Sequence, residues 1–235
     1  MNPHTPQLAG SDSDFDSREF YARKAAAYDA EMDSPSNRKV RRHVKDLVGR
    51  YSANGGAVLD FGCGTGGDVA GFLEQGRRVL AYDSSCEMLA CLRRRYDEAV
   101  RNRRVLPIGG ELAHMYAAIS LFDPIRVVVA NFGVINHLPR LEAFVELVTQ
   151  RLPSLQAVVL GVHNPLYLPD MGSRWWWHGL WVGRREGIIL CEGSAVKTRR
   201  YFLRTLIRLL SPTFRLRVAN GLLTPMRLLA FERLA

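Results

Sequence analysis

The sequence predicts an α/β protein with a doubly wound, mostly parallel sheet that is covered by helices on both faces. Short apolar runs alternate with helical segments from residue 57 to residue 162, which is the pattern of repeated strand–helix–strand units. A glycine-rich turn follows the first of these runs. Two further strands, predicted at 214–218 and 226–231, give the sheet an antiparallel edge.

The predicted elements follow one another in a regular order along the chain. Two helical segments come first, near 16–31 and 36–51, because their apolar side chains recur at helical spacing. The strands of the parallel part are predicted at 57–61, 78–82, 104–108, 125–131 and 155–162. Helices are predicted at 67–75, 85–99, 139–151 and 202–210, with a short one between the third and fourth strands.

Length and composition favour a single domain. The chain has 235 residues, of which 47% are hydrophobic, and this is enough for one large core. We expect residues 1–235 to form one domain, with 1–15 as a flexible tail and about 163–200 inserted as a cap over a substrate. The polar, acidic N-terminus resembles no secretory signal, and no apolar run reaches roughly 18 residues, so we expect a cytoplasmic protein.

The cysteines and the net charge limit the possible partners. Four cysteines without a C-x-x-C pair predict reduced thiols and no metal site. The net charge of +9 has two interpretations: an anionic partner such as nucleic acid, a carrier protein or an acidic lipid, or solvated helix faces. The basic clusters are scattered and lack interleaved aromatic residues, which favours solvated faces.

The glycine-rich turn is the strongest functional signal. It follows Asp60 in the run 58–68, where glycine lets the backbone approach a ligand closely and a helix N-terminus follows. Gly62, Gly64 and Gly67 also satisfy the G-x-G-x-x-G spacing of a dinucleotide site. A carboxylate at Asp60 would repel a pyrophosphate, however, and favours a cation such as an amino group. Asp83 ends the second strand, where it can accept hydrogen bonds from both ribose hydroxyls.

These motifs resemble those of class I S-adenosylmethionine-dependent methyltransferases. The resemblance covers roughly residues 16–162 and is carried by the segments 60–66, 82–89 and 122–132. It implies a Rossmann-like, seven-stranded sheet with an N-terminal helical lid, and S-adenosylmethionine as the cofactor, with S-adenosylhomocysteine as the product. It further implies cofactor contacts by Tyr21, Tyr28, Asp60, Gly62, Cys63, Gly64, Asp83, Ser84, Glu111, Asn131 and Phe132.

Some of these residues have simpler interpretations. Asp60 is expected at the cofactor amino group, Asp83 at the ribose and Ser84 near the adenine. Glu111 either approaches the adenine amino group or only begins a helix. Tyr21 and Tyr28 either close over the cofactor or only pack in the core.

Candidate catalytic and substrate-binding residues follow the fourth and fifth strands. His137 is the best-placed candidate base, and His163 is a second one. Trp175, Trp176 and His178 either form the wall of a substrate pocket or belong to a small core of the cap.

The sequence therefore predicts methyl transfer to a small, partly apolar metabolite in a biosynthetic pathway. Oxygen is the favoured acceptor atom, and nitrogen and carbon remain open. Two alternatives stay open at this stage. One is an RNA or DNA methyltransferase, because the chain is basic, and the other is a non-catalytic module that binds the cofactor.

Overall fold

A seven-stranded sheet forms the centre of the protein in the computed structural model. The structure describes residues 17–53, 55–120, 122, 124–185, 187–191 and 198–234. The predicted tail at 1–15 lies outside the described residues, as do Asp123 and residues 192–197. The strands of the main sheet are β1 Ala57–Phe61, β2 Val79–Asp83, β3 Val105–Gly109, β4 Ile125–Ala130, β5 Ala157–His163, β8 Phe214–Asn220 and β9 Met226–Arg233. A separate hairpin contains β6 Ile188–Cys191 and β7 Thr198–Tyr201.

The strand order is β3-β2-β1-β4-β5-β9-β8. The first five strands are parallel, and β9 is antiparallel to both β5 and β8. The predicted antiparallel edge is confirmed. The antiparallel strand β9 is not itself the edge strand but lies between β5 and the edge strand β8. Because the order reverses between β1 and β4, a crevice opens at the carboxyl ends of these strands.

Helices cover the sheet on both faces. They are α1 Ser17–Lys24, α2 Tyr28–Met32, α3 Pro35–Tyr51, α4 Val69–Glu74, α5 Cys86–Arg95, α6 Asp97–Arg101, α7 Leu112–Ile119, α8 Leu141–Glu146, α9 Leu168–Met171, α10 Arg174–Gly183 and α11 Leu203–Leu210. Residues of β1 alternate between the two cores: Leu59 packs with α7, α8 and α11, and Val58 packs with α3, α4 and α5. Both faces of β1 are buried, which explains its almost continuous apolar sequence.

Two predicted helices are each divided in two. The first segment is α1 followed by α2, with a turn between them, and the segment at 85–99 divides at Tyr96 into α5 and α6. Tyr96 lies under the glycine turn, where its hydroxyl donates to the Gly66 carbonyl at 2.8 Å. The break in the helix therefore supports the turn.

The predicted cap contains α9, α10 and the β6–β7 hairpin. Helix α10 packs closely on β6 because Gly179 and Gly183 face that strand. A Cβ atom at Gly179 would lie 2.0 Å from the Leu190 carbonyl oxygen, and one at Gly183 would lie 2.5 Å from the Ile188 carbonyl oxygen. The second strand of the hairpin is Thr198–Tyr201. Within the described residues, no helix combines the length and the apolar character that a membrane crossing needs.

Asn136 connects the cap to the main sheet. It lies in a 3₁₀ turn, Val134–Asn136, and is fully buried. Its Nδ2 donates to the Arg199 carbonyl of β7 at 2.6 Å, and its Oδ1 accepts from the His163 backbone N–H at 2.9 Å. One side chain thereby satisfies two backbone groups from separate strands.

We expect Asn136→Ala to lower the free energy of unfolding by about 2–4 kcal/mol, because it leaves two buried backbone groups without partners. Urea denaturation measures this change, with the exposed Asn102→Ala as the matched control. A loss for Asn136→Ala as small as that of the control would contradict this role.

Candidate functional site

One pocket of about 580 Å³ lies at the carboxyl ends of β1, β2 and β4. Its wall contains all eleven residues predicted to contact a cofactor, together with His137. The structure thus brings together the glycine turn, both strand-end carboxylates and the segment after β4. His163, Trp175, Trp176 and His178 do not line this pocket.

The glycine turn holds Asp83 in place. The Gly64 N–H donates to one carboxylate oxygen of Asp83 at 2.8 Å, and the Ser85 N–H donates to the other at 2.9 Å. Gly62 has a φ of +76°, and a Cβ there would lie 2.5 Å from Val134, so a larger residue would push the turn into the pocket wall. Burial raises the pKa of Asp83, and the two backbone hydrogen bonds oppose that shift.

Asp60 is a buried carboxylate at the floor of the pocket. Its Oδ2 has no hydrogen-bond partner among the described residues. Burial raises its pKa well above the usual range, the charge of Asp68 raises it further, and Arg41 opposes both effects. A buried carboxylate with an unsatisfied oxygen is costly, and a bound cation would relieve that cost.

Asp68 and Arg41 belong to the site but are absent from the predicted set. The Nδ2 of Asn131 donates to Asp68 Oδ2 at 3.0 Å, and Arg41 approaches Asp68 Oδ1 at 3.4 Å. The Arg41 guanidinium also stacks over the Phe132 ring, 4.6 Å from its centroid. Asp68 follows the glycines directly and could have been inferred from its place in the turn. Arg41 lies within a basic helix, where nothing in the sequence distinguishes it from solvated neighbours.

The pocket wall is acidic, in contrast to the basic chain. Among the described residues, four carboxylates line it: Asp60, Asp68, Asp83 and Glu111. Only two arginines do so, Arg18 and Arg41. One of the two guanidinium groups, that of Arg41, is already close to Asp68. The site is therefore suited to a cationic ligand.

Two tyrosines close the pocket from the N-terminal helices. A Cβ added at Gly64 would lie 3.6 Å from the Tyr28 ring, so this ring stands close to the glycine turn. Tyr21 packs edge-on against Tyr28, with ring centroids 6.2 Å apart. Burial raises the pKa of Tyr21 to about 12, so its hydroxyl stays protonated at neutral pH.

His137 presents an imidazole to the pocket. Its Nε2 lies 3.3 Å from the Tyr21 hydroxyl, and its Nδ1 is buried with no hydrogen-bond partner among the described residues. Burial lowers the pKa of His137 to about 4, so the ring is neutral at physiological pH. A neutral imidazole with a free nitrogen can accept a proton from a bound hydroxyl.

His163 lies behind His137, at the end of β5. The two rings meet edge to face with centroids 5.8 Å apart. The pKa of His163 is lowered to about 4, chiefly by burial and also by the charges of His137 and Arg200, whereas Asp170 opposes the shift. Because His163 packs against the outer side of His137, its position fits support of that ring better than direct contact with a ligand.

The backbone after β4 is strained where it borders the pocket. Phe132 has a φ of +53°, and its N–H donates to the side-chain oxygen of Asn131 at 2.9 Å. Gly133 follows with a φ of +81°, and a Cβ there would lie 2.5 Å from His163 Nε2. Positive φ at a bulky residue is costly and concentrates at functional sites.

The predicted tryptophan site lies elsewhere, in the cap. Trp176 is buried, and its Nε1 donates to the Pro165 carbonyl at 2.8 Å. Trp175 and His178 border a separate depression with Arg174 and Leu190. Their role with a substrate stays a prediction. Among the described residues, no group of three or more His, Cys, Asp and Glu side chains is placed to hold a metal ion.

Comparisons with known proteins agree with this architecture. Residues 58–153 match the family model described as a methyltransferase domain, and no curated protein matches the chain in sequence. The solved 1,6-didemethyltoxoflavin-N1-methyltransferase of Burkholderia thailandensis is 18% identical with a TM-score of 0.60, and the match covers 98% of this chain and 93% of that chain.

Two other solved structures are similar. A Pyrococcus horikoshii protein is 20% identical with a TM-score of 0.60, covering 86% of this chain and 93% of its own. The magnesium protoporphyrin IX methyltransferase of Synechocystis is 17% identical with a TM-score of 0.59, covering 92% of this chain and 97% of its own. At these identities, the solved structures establish the fold.

The family match identifies a methyltransferase domain, which the similarity in fold alone does not establish. It spans the glycine turn, all four pocket carboxylates and His137. The predicted recognition and fold class are therefore confirmed. Residues 58–153 match a methyltransferase domain, and the predicted enzyme class, an S-adenosylmethionine-dependent methyltransferase, is likewise confirmed.

Proposed function

We propose that this enzyme transfers the methyl group of S-adenosylmethionine to a small, partly apolar metabolite, with an oxygen atom as the favoured acceptor. The observation that carries the proposal is the division of the pocket. Carboxylates gather around the glycine turn, whereas His137 is followed in the wall by Leu138 and Pro139. A charged cofactor fits the first part and a less polar acceptor fits the second.

The acidic part matches the polar groups of the cofactor. Asp60 and Asp68 would face its ammonium group, Asp83 would accept hydrogen bonds from the ribose hydroxyls, and Glu111 would approach the adenine amino group. Ser84 and the backbone of the glycine turn complete this contact. Arg41, beside Asp68, is the cation best placed to meet the cofactor carboxylate.

The less polar part of the pocket, around His137, would hold the methyl acceptor and offers it a base. The sulfonium methyl is already activated, so this chain's residues must align the nucleophile and exclude water. His137 would accept the proton of an acceptor hydroxyl at Nε2, the nitrogen that the Tyr21 hydroxyl approaches at 3.3 Å, because Nδ1 is buried. Tyr28 would exclude water above the glycine turn.

The charge of the pocket supports a small molecule over nucleic acid. Four carboxylates would repel a phosphodiester backbone, and a cavity of about 580 Å³ is in the range of small-molecule sites. The Burkholderia neighbour was solved with bound 1,6-didemethyltoxoflavin and S-adenosylhomocysteine, which supports the same class of acceptor.

We expect Asp60→Asn to stabilise the ligand-free protein and weaken cofactor binding. Folding raises the pKa of Asp60, so ionisation of this carboxyl favours the unfolded state at neutral pH, and its removal should raise the unfolding temperature by about 2–4 °C if the gain is about 1 kcal/mol. It also removes the partner of the ligand ammonium group, so the affinity for S-adenosylhomocysteine should fall by roughly 10- to 100-fold.

Calorimetric titration and a thermal scan measure both effects on the same sample. The exposed Asp97→Asn serves as the control. If Asp60→Asn binds S-adenosylhomocysteine as tightly as the control does, the proposed contact is wrong. Binding of NAD in its place would reassign the turn to a pyrophosphate.

We expect His137→Gln to slow methyl transfer by roughly 10²- to 10⁴-fold while leaving the affinity for S-adenosylhomocysteine within about twofold. Release of S-adenosylhomocysteine in the presence of a panel of small phenols and enols measures the rate. The exposed His43→Gln is the matched control. Equal turnover by the two variants would remove His137 from the reaction.

The pH dependence of turnover offers a second test of His137. Its pKa of about 4 lies below the usual 6.5, so the neutral base is fully present above about pH 5. At saturating substrates, kcat should therefore show no fall in rate near pH 6.5. A titration near 6.5 that disappears in His137→Gln would contradict the buried, neutral state.

A further inference from the structure

The outer face of α10 is rich in tryptophan and arginine and is exposed in the described structure, with a hydrogen bond from Trp177 Nε1 to the Met171 carbonyl at 3.0 Å. Its exposed positions are Arg174, Trp177, His178, Trp181 and Val182, and the exposed Arg185, two residues beyond the helix, continues their spacing. Trp177 and Trp181 are 58% and 66% exposed. Such exposure is unusual for two large aromatic side chains on one short helix.

The inner face of α10 shows that this exposure is not a consequence of loose packing. Gly179 and Gly183 let the helix approach β6 to backbone distance, and Trp176 is buried beneath it. The cap therefore has its own small core. Trp177 and Trp181 are additional to that core.

Other exposed apolar side chains lie in segments connected to this helix: Leu166 follows Pro165, whose carbonyl accepts a hydrogen bond from Trp176 Nε1 of α10. Eight large apolar residues are exposed within the described part of the chain, and seven of them form a set that we call the cap patch: Leu166, Leu168, Trp177, Trp181, Val182, Leu222 and Leu223. Its two chain segments are joined through Asn164, whose Nδ2 donates to the carbonyls of Leu222 and Thr224 at 2.8 and 2.9 Å. The eighth residue, Leu234, follows the far end of β9.

The chain segment that carries most of the cap patch is basic. Residues 163–213 contain eight arginines and lysines against three acidic residues, a net charge of +5. Arg174 and Arg185 stand at the two ends of the α10 face, and the Arg184 guanidinium lies 5.6 Å from the Trp181 ring centroid. One acidic side chain of this region, Asp170, is paired with Arg200.

We propose that the cap patch binds the surface of an anionic lipid bilayer. Tryptophan is the side chain that prefers the boundary between headgroups and acyl chains, and the flanking arginines would meet the lipid phosphates. The proposal concerns where the enzyme acts, and it holds whichever acceptor the pocket takes.

Two other occupants fit the same face less well. Nucleic acid would use the tryptophans as stacking platforms, but five of the seven patch residues are aliphatic and offer no stacking surface. A second copy related by a two-fold axis through α10 would bring its arginines against those of the first copy. An anionic bilayer accepts both the aliphatic and the cationic part.

The position of the cap patch connects it to the active site. Leu222 and Leu223 lie in the turn before β9, which begins opposite the carboxyl end of β5. The pocket also lies at the carboxyl ends of the parallel strands. Docking would therefore place the catalytic end of the sheet toward the membrane.

The test is sedimentation of the full chain with vesicles of phosphatidylglycerol and phosphatidylcholine, compared with vesicles of phosphatidylcholine alone. We expect binding to the first at low salt, and at least tenfold weaker binding to the second.

Trp177→Ala with Trp181→Ala should reduce binding by about tenfold or more, whereas Leu234→Ala should leave it unchanged. Arg174→Gln with Arg185→Gln should reduce it by roughly 30-fold, at about 1 kcal/mol for each arginine near the surface.

Arg42→Gln with Arg50→Gln is the matched control for charge, because both side chains are exposed on α3. Absence of vesicle binding, or equal losses in the cap and control variants, would overturn the proposal. Light scattering that shows a dimer dispersed by the two tryptophan substitutions, without vesicle binding, would assign the patch to a second copy. Tighter binding to a single-stranded oligonucleotide than to the anionic vesicles would assign it to nucleic acid.

Discussion

The burial of Asp60 without a matching cation is the constraint on which the pocket depends. Its carboxylate lies near those of Asp68 and Asp83, and Arg41 offsets the combined charge only in part. Folding therefore holds these carboxylates in a conformation that a ligand cation would stabilise. Sites of this kind lower the stability of the free protein and favour tight binding, because the free energy needed to bury and orient the carboxylates is spent in folding, before the ligand binds. The glycine turn makes the arrangement possible by bringing backbone N–H groups to Asp83.

The fold was largely predictable because each signal was local. Strand β1 came out at the predicted bounds, and the strand-end acids met at one edge because parallel strands share that edge. The division of the helix at Tyr96 was not predictable, since it follows from a contact with Gly66, thirty residues earlier in the chain. The position of β9 between β5 and β8 depends likewise on long-range pairing.

The site was predictable only in part, for a related reason. Residues next to a strand end or in the glycine turn could be found from the sequence, and all eleven predicted cofactor residues line the pocket. Arg41 could not, because its role comes from the packing of α3 across the turn. The tryptophans show that neighbours in sequence can have different surroundings: Trp176 enters the core of the cap, whereas Trp177 faces outward. Sequence proximity does not determine which face of a helix a side chain occupies.

The most direct test of this account is proton release when S-adenosylhomocysteine binds. Titration calorimetry at several pH values, each in two buffers with different ionisation enthalpies, measures it. Because burial and neighbouring carboxylates raise the pKa of Asp60 in the free protein, a bound ammonium group should lower that pKa and expel a proton. The account predicts net proton release that decreases in Asp60→Asn. Tight binding with no proton release, or with proton uptake, would contradict it.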